Sequence, residues 1–261
     1  MNNSWLNYFN LSDHYERKAR FLPAVLSVLP LLPVATTFGV PLLEWGKLLI
    51  AGVGLGAIVA VALSHVASAF GNRLQDILWP DWPHDAPTNR WLHPDEKSVS
   101  IQQKQQWYQA IMSLVQIDIQ RAVDAEEPDG LKATINDAVK ALRNRIWKTP
   151  EAERVQLHNV DYGFARNITG LRPVWMTFAL SSLVGCWYAY IWDSGAILWA
   201  IVSTILAVGA LAMATVLPAY VRKKAHYYAE SFFGAVVALN ASGGRMQSKP
   251  NAPADCGQTT Q

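Results

Sequence analysis

Four stretches of the chain carry no Asp, Glu, Lys or Arg: Phe21 to Leu43, Leu48 to Phe70, Pro173 to Trp192 and Gly195 to Pro218. Each reaches the roughly 20 apolar residues that a helix needs to cross the hydrocarbon core of a bilayer. Hydrocarbon offers no water to backbone N–H and C=O groups, so uniform segments of this kind predict helices. Only Glu44–Lys47 separates the first pair and only Asp193 and Ser194 the second, which predicts two tight helical hairpins. Pro23, Pro30, Pro33 and Pro41 make the first span irregular, because each removes a backbone donor. A secretory signal does not fit this span: the polar region before it is too long and the apolar run exceeds the usual length.

Between the hairpins the pattern changes from apolar runs to helical periodicity. The stretch "WPDWPHDAPTNRWLHPDE" is rich in Pro and Trp and reads as an ordered loop. Ser98 or Ser100 is placed to cap a helix running to about Ala125, with Ile101, Tyr108, Ile111, Met112, Val115 and Ile119 on its apolar stripe. After "EEPDG" a second helix is predicted over Leu131 to Trp147, with Ile135, Val139, Leu142 and Ile146 at helical spacing. A third helix is predicted from about Glu151 toward the membrane. Ala219 to Asn240 is expected to be helical, with Phe232, Phe233, Val236 and Val237 available for packing.

The expected fold is therefore an all-α membrane protein, with two transmembrane helical hairpins (2+2) flanking a cytoplasmic helical domain. Residues 1–20 form a cytoplasmic N-terminal segment, 21–70 the first hairpin and 71–172 the cytoplasmic domain with its Pro/Trp-rich loop. Residues 173–218 form the second hairpin, 219–240 a cytoplasmic C-terminal helix and 241–261 a disordered tail. Basic residues set the orientation. Arg17, Lys18, Arg20, Arg73, Arg166, Arg172, Arg222, Lys223 and Lys224 lie on one side, against Lys47 alone in the short turns. By the positive-inside rule both termini and the middle region are cytoplasmic.

Composition narrows the chemistry. A charged fraction of 16% suits a membrane protein, and a net charge of +2 gives no argument for a nucleic-acid partner. Cys186 and Cys256 have no neighbours at metal-ligand spacing. "GVGLGA", Gly52 to Ala57, looks like part of a dinucleotide fingerprint but lies within a span, so Gly52 and Gly56 are read as a helix-packing pair. His65 is the one ionisable residue within a span, close to the cytoplasmic border, and is assigned interfacial or pairing duty. His84, His93, Asp81, Asp85 and Asp95 lack metal-site spacing and are read as loop caps. No nucleophile elbow or phosphate loop is present. No catalytic, cofactor or metal residues are assigned.

The membrane borders carry the more informative residues. "GNRLQD" leaves the second span with Asn72, Arg73 and Gln75. "YGFARNITGLRP" enters the third with Tyr162, Gly163, Arg166, Asn167, Gly170 and Arg172. On a helix Asn159, Gly163, Arg166, Asn167 and Gly170 share a face, with Tyr162 one turn before Arg166. The bland reading is that the arginines bind lipid head groups and the glycines admit a neighbour. The sharper reading is a juxtamembrane site that couples the cytoplasmic domain to the spans.

A Trp-rich loop after a two-span hairpin ("LQDILWPDW…PTNRWL"), then "NVDYGFARNITGLRP" opening a second hairpin, resembles a group of uncharacterised bacterial inner-membrane proteins. The 2+2 layout also looks like the four-span effectors of bacterial nucleotide-signalling defence systems, although no nucleotide-sensor domain is recognisable in this chain. This likeness implies a protein that assembles in the inner membrane and perturbs it. The expected function is a non-enzymatic, oligomeric inner-membrane protein whose cytoplasmic domain receives a small-molecule or protein trigger, in its sharpest form a membrane-disrupting anti-phage effector. A channel or transporter component is the alternative, and a membrane-surface enzyme a further one. The expected partners are the bilayer, further copies of the chain and the trigger.

Overall fold

The computed structural model describes residues 14–39, 53–125 and 127–247, and every regular element among them is helical. Among the described residues three helices are long and apolar enough to cross a membrane: Glu16–Thr37, Arg172–Trp192 and Ser194–Ser242. The chain divides into two compact units, Met1–Pro87 with Arg154–Ala229, and Thr88–Glu153 with Glu230–Gln261.

In the first unit, α1 (Glu16–Thr37) is interrupted as its prolines require. A π-helical turn, Glu16–Phe21, leads into α-helix Leu22–Val28, a 3-10 turn Leu29–Leu31 and a final α-helical segment Leu32–Thr37. The helix starts before the expected boundary at Phe21. Helix α2 is Val53–Leu78 and carries the second apolar stretch eight residues past Phe70. The link between α1 and α2, and Leu48 to Gly52 of that stretch, lie outside the described residues. So does Pro41, while Gly56 sits in the first turn of α2.

Helix α7 (Ala152–Gly170) meets α8 (Arg172–Trp192) with Leu171 alone between them. Helix α8 is joined to α9 (Ile197–Gln247) by a tight link in which Asp193 accepts from the Gly195 N–H at 2.9 Å. The two helices run antiparallel: Trp187 Nε1 donates to Thr204 Oγ1 at 3.0 Å near the link, and Trp175 and Leu217 share a cluster further away. Helix α9 does not stop at Pro218. It continues through the expected C-terminal helix, and through the first residues of the expected disordered tail, as one element of 51 residues. The rest of that tail lies outside the described residues.

The apolar surface of this unit points outward. Val184, Ile191 and Trp192 on α8 are 69%, 74% and 77% exposed, and Ile205 and Val208 on α9 are 66% and 64% exposed. In water such a surface would be a liability; in a bilayer it is the lipid-facing side.

The second unit contains α3 (Pro87–Arg90, at its edge), α4 (Ile101–Val115), α5 (Ile119–Asp124), α6 (Pro128–Ile146) and the end of α9. Ser100 caps α4, its Oγ accepting from Gln103 N–H at 3.2 Å. The expected helix to Ala125 is broken at Gln116, which adopts a left-handed φ of 59°. Two side chains make the break favourable. Asp118 caps α5 by accepting from Arg121 N–H at 2.9 Å, and Arg145 of α6 donates to the Leu114 carbonyl at 2.7 Å.

The apolar stripe of α4 is also shifted. Tyr108 and Ile111 are buried, but Ile101 and Met112 are 75% and 47% exposed, and Lys104, Trp107, Ala110 and Leu114 face inward instead. Trp107 stacks on Phe233 of α9 with ring centroids 4.1 Å apart, an apolar contact with no counterpart in the expected stripe. The four residues expected on α6 (Ile135, Val139, Leu142 and Ile146) are all buried.

Candidate functional site

The stretch at the α7–α8 joint builds a polar cluster inside the first unit. Asn167 is fully buried, and its Nδ2 donates to the Ala19 carbonyl of α1 at 2.6 Å. Its Oδ1 accepts from Arg166 Nε at 3.3 Å. Arg166 Nη1 donates to Gln75 Oε1 of α2 at 2.8 Å, and the same oxygen accepts from Tyr162 OH at 3.2 Å. The guanidinium lies 5.8 Å from the Tyr162 ring centroid. One amide oxygen thus holds two donors from α7, and three helices are tied by side chains that local sequence alone would leave solvated. In a low-dielectric setting such a network is rigid when complete and costly when any member is lost.

Glycines let the helices come this close. A Cβ at Gly170 would lie 2.5 Å from the Phe70 carbonyl oxygen and 2.7 Å from Gly71 N, so α7 and α2 touch backbone to backbone there. At Gly163 a Cβ would lie 2.9 Å from both Ala19 Cβ and Tyr15 OH, and at Gly71 it would overlap Asn167 Oδ1. Tyr162 packs edge-on against Trp79 at 6.1 Å and is stacked with Tyr228 at 6.5 Å. Burial pushes its phenol well above the ordinary tyrosine range, so it stays a neutral donor.

The joint itself is also tied down. Trp175 Nε1 donates back to the Ile168 carbonyl at 3.0 Å, and Arg172 Nη1 donates to the Ala214 carbonyl of α9 at 3.1 Å. Further along α9, Lys224 pairs with Asp161 of α7 at 2.6 Å.

Of the residues singled out from sequence, Tyr162, Gly163, Arg166, Asn167 and Gly170 come together, with Arg172 alongside. Asn72 and Arg73 do not join them: both are exposed on α2, and Gln75 and Gly71 face the cluster instead. His65 is exposed as well. The helical register explains the exchange, since Gly71, Leu74, Gln75 and Leu78 share the packed face of α2, and Asn72, Arg73 and Asp76 the other.

Elsewhere polar groups serve structure. Asp81 N–H donates to Asp85 Oδ2 at 3.0 Å, and Asp95 N–H reaches His93 Nδ1 at 3.4 Å, a geometry for neutral imidazole that burial favours by lowering the His93 pKa. Lys104 was not anticipated. It is buried, and its ammonium donates to the carbonyls of His93 at 2.7 Å, Pro94 at 3.1 Å and Glu96, clamping the Pro/Trp-rich loop. The signal was its place on the Tyr108–Ile111 face. Glu96 accepts from Ser98 N–H at 2.9 Å and from Arg90 Nε at 3.1 Å, and the Ser98 backbone bond holds its carboxyl down at about 2.

Hydroxyls on the apolar helices are engaged with backbone: Ser182 Oγ accepts from Val34 N–H at 3.3 Å, and Ser203 and Thr204 donate to the Ala200 carbonyl at 2.9 and 2.8 Å. Among the described residues no group of three or more His, Cys, Asp or Glu could hold a metal ion. No family model, curated protein or solved structure matches the chain.

Proposed function

We propose that this chain is a non-enzymatic, oligomeric, four-span (2+2) protein of a bacterial inner membrane, with both termini cytoplasmic. In this reading its cytoplasmic helices receive a protein or small-molecule trigger and pass it through the α7–α8 joint to the spans. The observation that carries the reading is the buried network of Gln75, Tyr162, Arg166 and Asn167. It spends polar groups at a membrane border to fix α7 against α1 and α2, where an apolar seam would have sufficed for packing alone. The output that fits best is perturbation of the membrane, as in an anti-phage effector.

The test is expression in bacteria with a membrane-potential dye, with and without phage challenge. Wild type is expected to depolarise cells, and Arg166→Gln or Asn167→Leu to lose the effect while still fractionating with the inner membrane. Absence of depolarisation in wild type under both conditions sinks the membrane-perturbing output. Full activity in both variants sinks the role of the joint.

A further inference from the structure

An α-helix returns each N–H to the carbonyl four residues earlier, and a proline leaves that one carbonyl without its donor. Pro218 has no N–H for Ala214, and Pro23, where the π-helical turn Glu16–Phe21 gives way to the α-helix from Leu22, has none for Ala19. Water compensates neither carbonyl, since Ala214 lies in an apolar span and Ala19 is fully buried, so another donor must be found. The other two described prolines of α1 are handled locally. Leu29 N–H bonds Leu26 O, the carbonyl facing Pro30, and Leu32 N–H bonds Leu29 O, the carbonyl facing Pro33; the chain tightens into a 3-10 turn to do so.

Ala19 and Ala214 are treated differently. Each carbonyl accepts from a side chain of another element, and both side chains come from one place. Asn167 Nδ2 reaches Ala19 O at 2.6 Å and Arg172 Nη1 reaches Ala214 O at 3.1 Å. The two donors flank the break at Leu171, one at the end of α7 and one at the start of α8. With Arg172 in place, α9 runs through Pro218 as a single helix.

We propose that Asn167 and Arg172 form a double latch: the α7–α8 joint supplies the donors that Pro23 and Pro218 lack, and displacement of the joint frees both carbonyls and lets both proline-bearing helices bend. A movement of one joint thereby reaches two spans at once, the device by which the coupling proposed above would operate and on which its functional meaning rests.

A double-mutant cycle on the full chain in detergent tests it, using the equilibrium between folded and unfolded protein. In the Pro218 background, Arg172→Met is expected to lower the folded-to-unfolded ratio about tenfold, the loss of one charged donor to a buried carbonyl. In the Pro218→Ala background the substituted alanine supplies its own N–H, and the same Arg172 change should alter the ratio by less than about twofold. Arg172→Lys keeps a donor and guards against a variant that simply fails to fold. Hydrogen exchange in the α9 segment around Ala214 should quicken in Arg172→Met and stay near wild type in Arg172→Lys. Asn167→Leu with Pro23→Ala should repeat the pattern with a smaller rescue, because Asn167 Oδ1 also accepts from Arg166. Equal losses from Arg172→Met in both backgrounds overturn the latch, as does Arg172→Lys behaving like Arg172→Met. Failure of the coupling reading shows separately, as depolarisation that ignores Arg166→Gln and Asn167→Leu.

Discussion

Gly170→Ala gives a prediction whose sign is decided by tertiary structure. In an isolated helix the change is favourable by about 1 kcal/mol, because alanine loses less backbone entropy than glycine. At this position the new methyl would lie 2.5 Å from the Phe70 carbonyl oxygen and 2.6 Å from its carbon. Ordinary contact begins near ~3.5 Å, so α7 and α2 must part by about 1 Å, and neighbours across the seam lose part of their dispersion energy. The obstacle is backbone, which no rotamer change can move aside. Overpacking of this kind costs about 1–3 kcal/mol, and separating the helices also stretches the Arg166–Gln75 bond. The expected net result is destabilisation by about 1–2 kcal/mol. Gly209→Ala is the matched control: nothing lies within 4 Å of the new methyl, so only the helix term acts and the protein should gain stability. Reversible unfolding in mixed detergent micelles, followed by circular dichroism, measures both. A Gly170→Ala protein as stable as Gly209→Ala would refute the close approach of α7 to α2.

Three further outcomes are expected. Lys104→Met should destabilise the second unit by about 1–3 kcal/mol, since the carbonyls of His93, Pro94 and Glu96 lose their shared donor; faster hydrogen exchange across residues 91–98 would report it. The Glu96 carboxyl is held at about 2 against an ordinary 4.5, so its stabilising effect is full above about 4.5 and is lost as pH falls toward 2; near-UV circular dichroism of the tryptophans should show a transition in that window that Glu96→Gln removes. Gln75→Leu should cost more than Tyr162→Phe, about 2 against about 1 kcal/mol, because it strands the buried Tyr162 hydroxyl and the half-buried Arg166 guanidinium whereas Tyr162→Phe leaves Gln75 still bonded to Arg166; a Tyr162→Phe variant as damaged as Gln75→Leu would show that the phenol, not the amide, anchors the cluster.

The membrane character was legible because it depends on composition over long windows: two charge-free stretches lie within helices long enough to cross a bilayer, a third lies in such a helix as far as Thr37, and a fourth continues into α2. Helix α6 was legible for a similar reason, with apolar residues at a clean helical period and Pro128 in its first turn. The break in α4 was not. No Gly or Pro marks Gln116, and its left-handed turn depends on Arg145, which lies 31 residues from the Leu114 carbonyl it satisfies. Met112 on the expected stripe was displaced by Trp107 because the ring stack with Phe233 comes from a distant part of the chain.

The joint divides along the same line. Sequence alone determined which residue types stand at the membrane border: a stretch with Gly, Arg and Asn, then a proline, then an apolar span. It also determined that prolines would leave carbonyls without donors, since that is a local property of the backbone. Which side chains answer those carbonyls was decided by the tertiary structure. Asn167 meets Ala19 across 148 residues of chain, and Arg172 meets Ala214 across 42. The register of α2 likewise put Gln75 in the cluster and left Asn72 and Arg73 outside it. Hydrogen-bond donors have short reach and strict direction, so their partners follow from where packed helices bring the backbone, and no periodicity in the sequence encodes that.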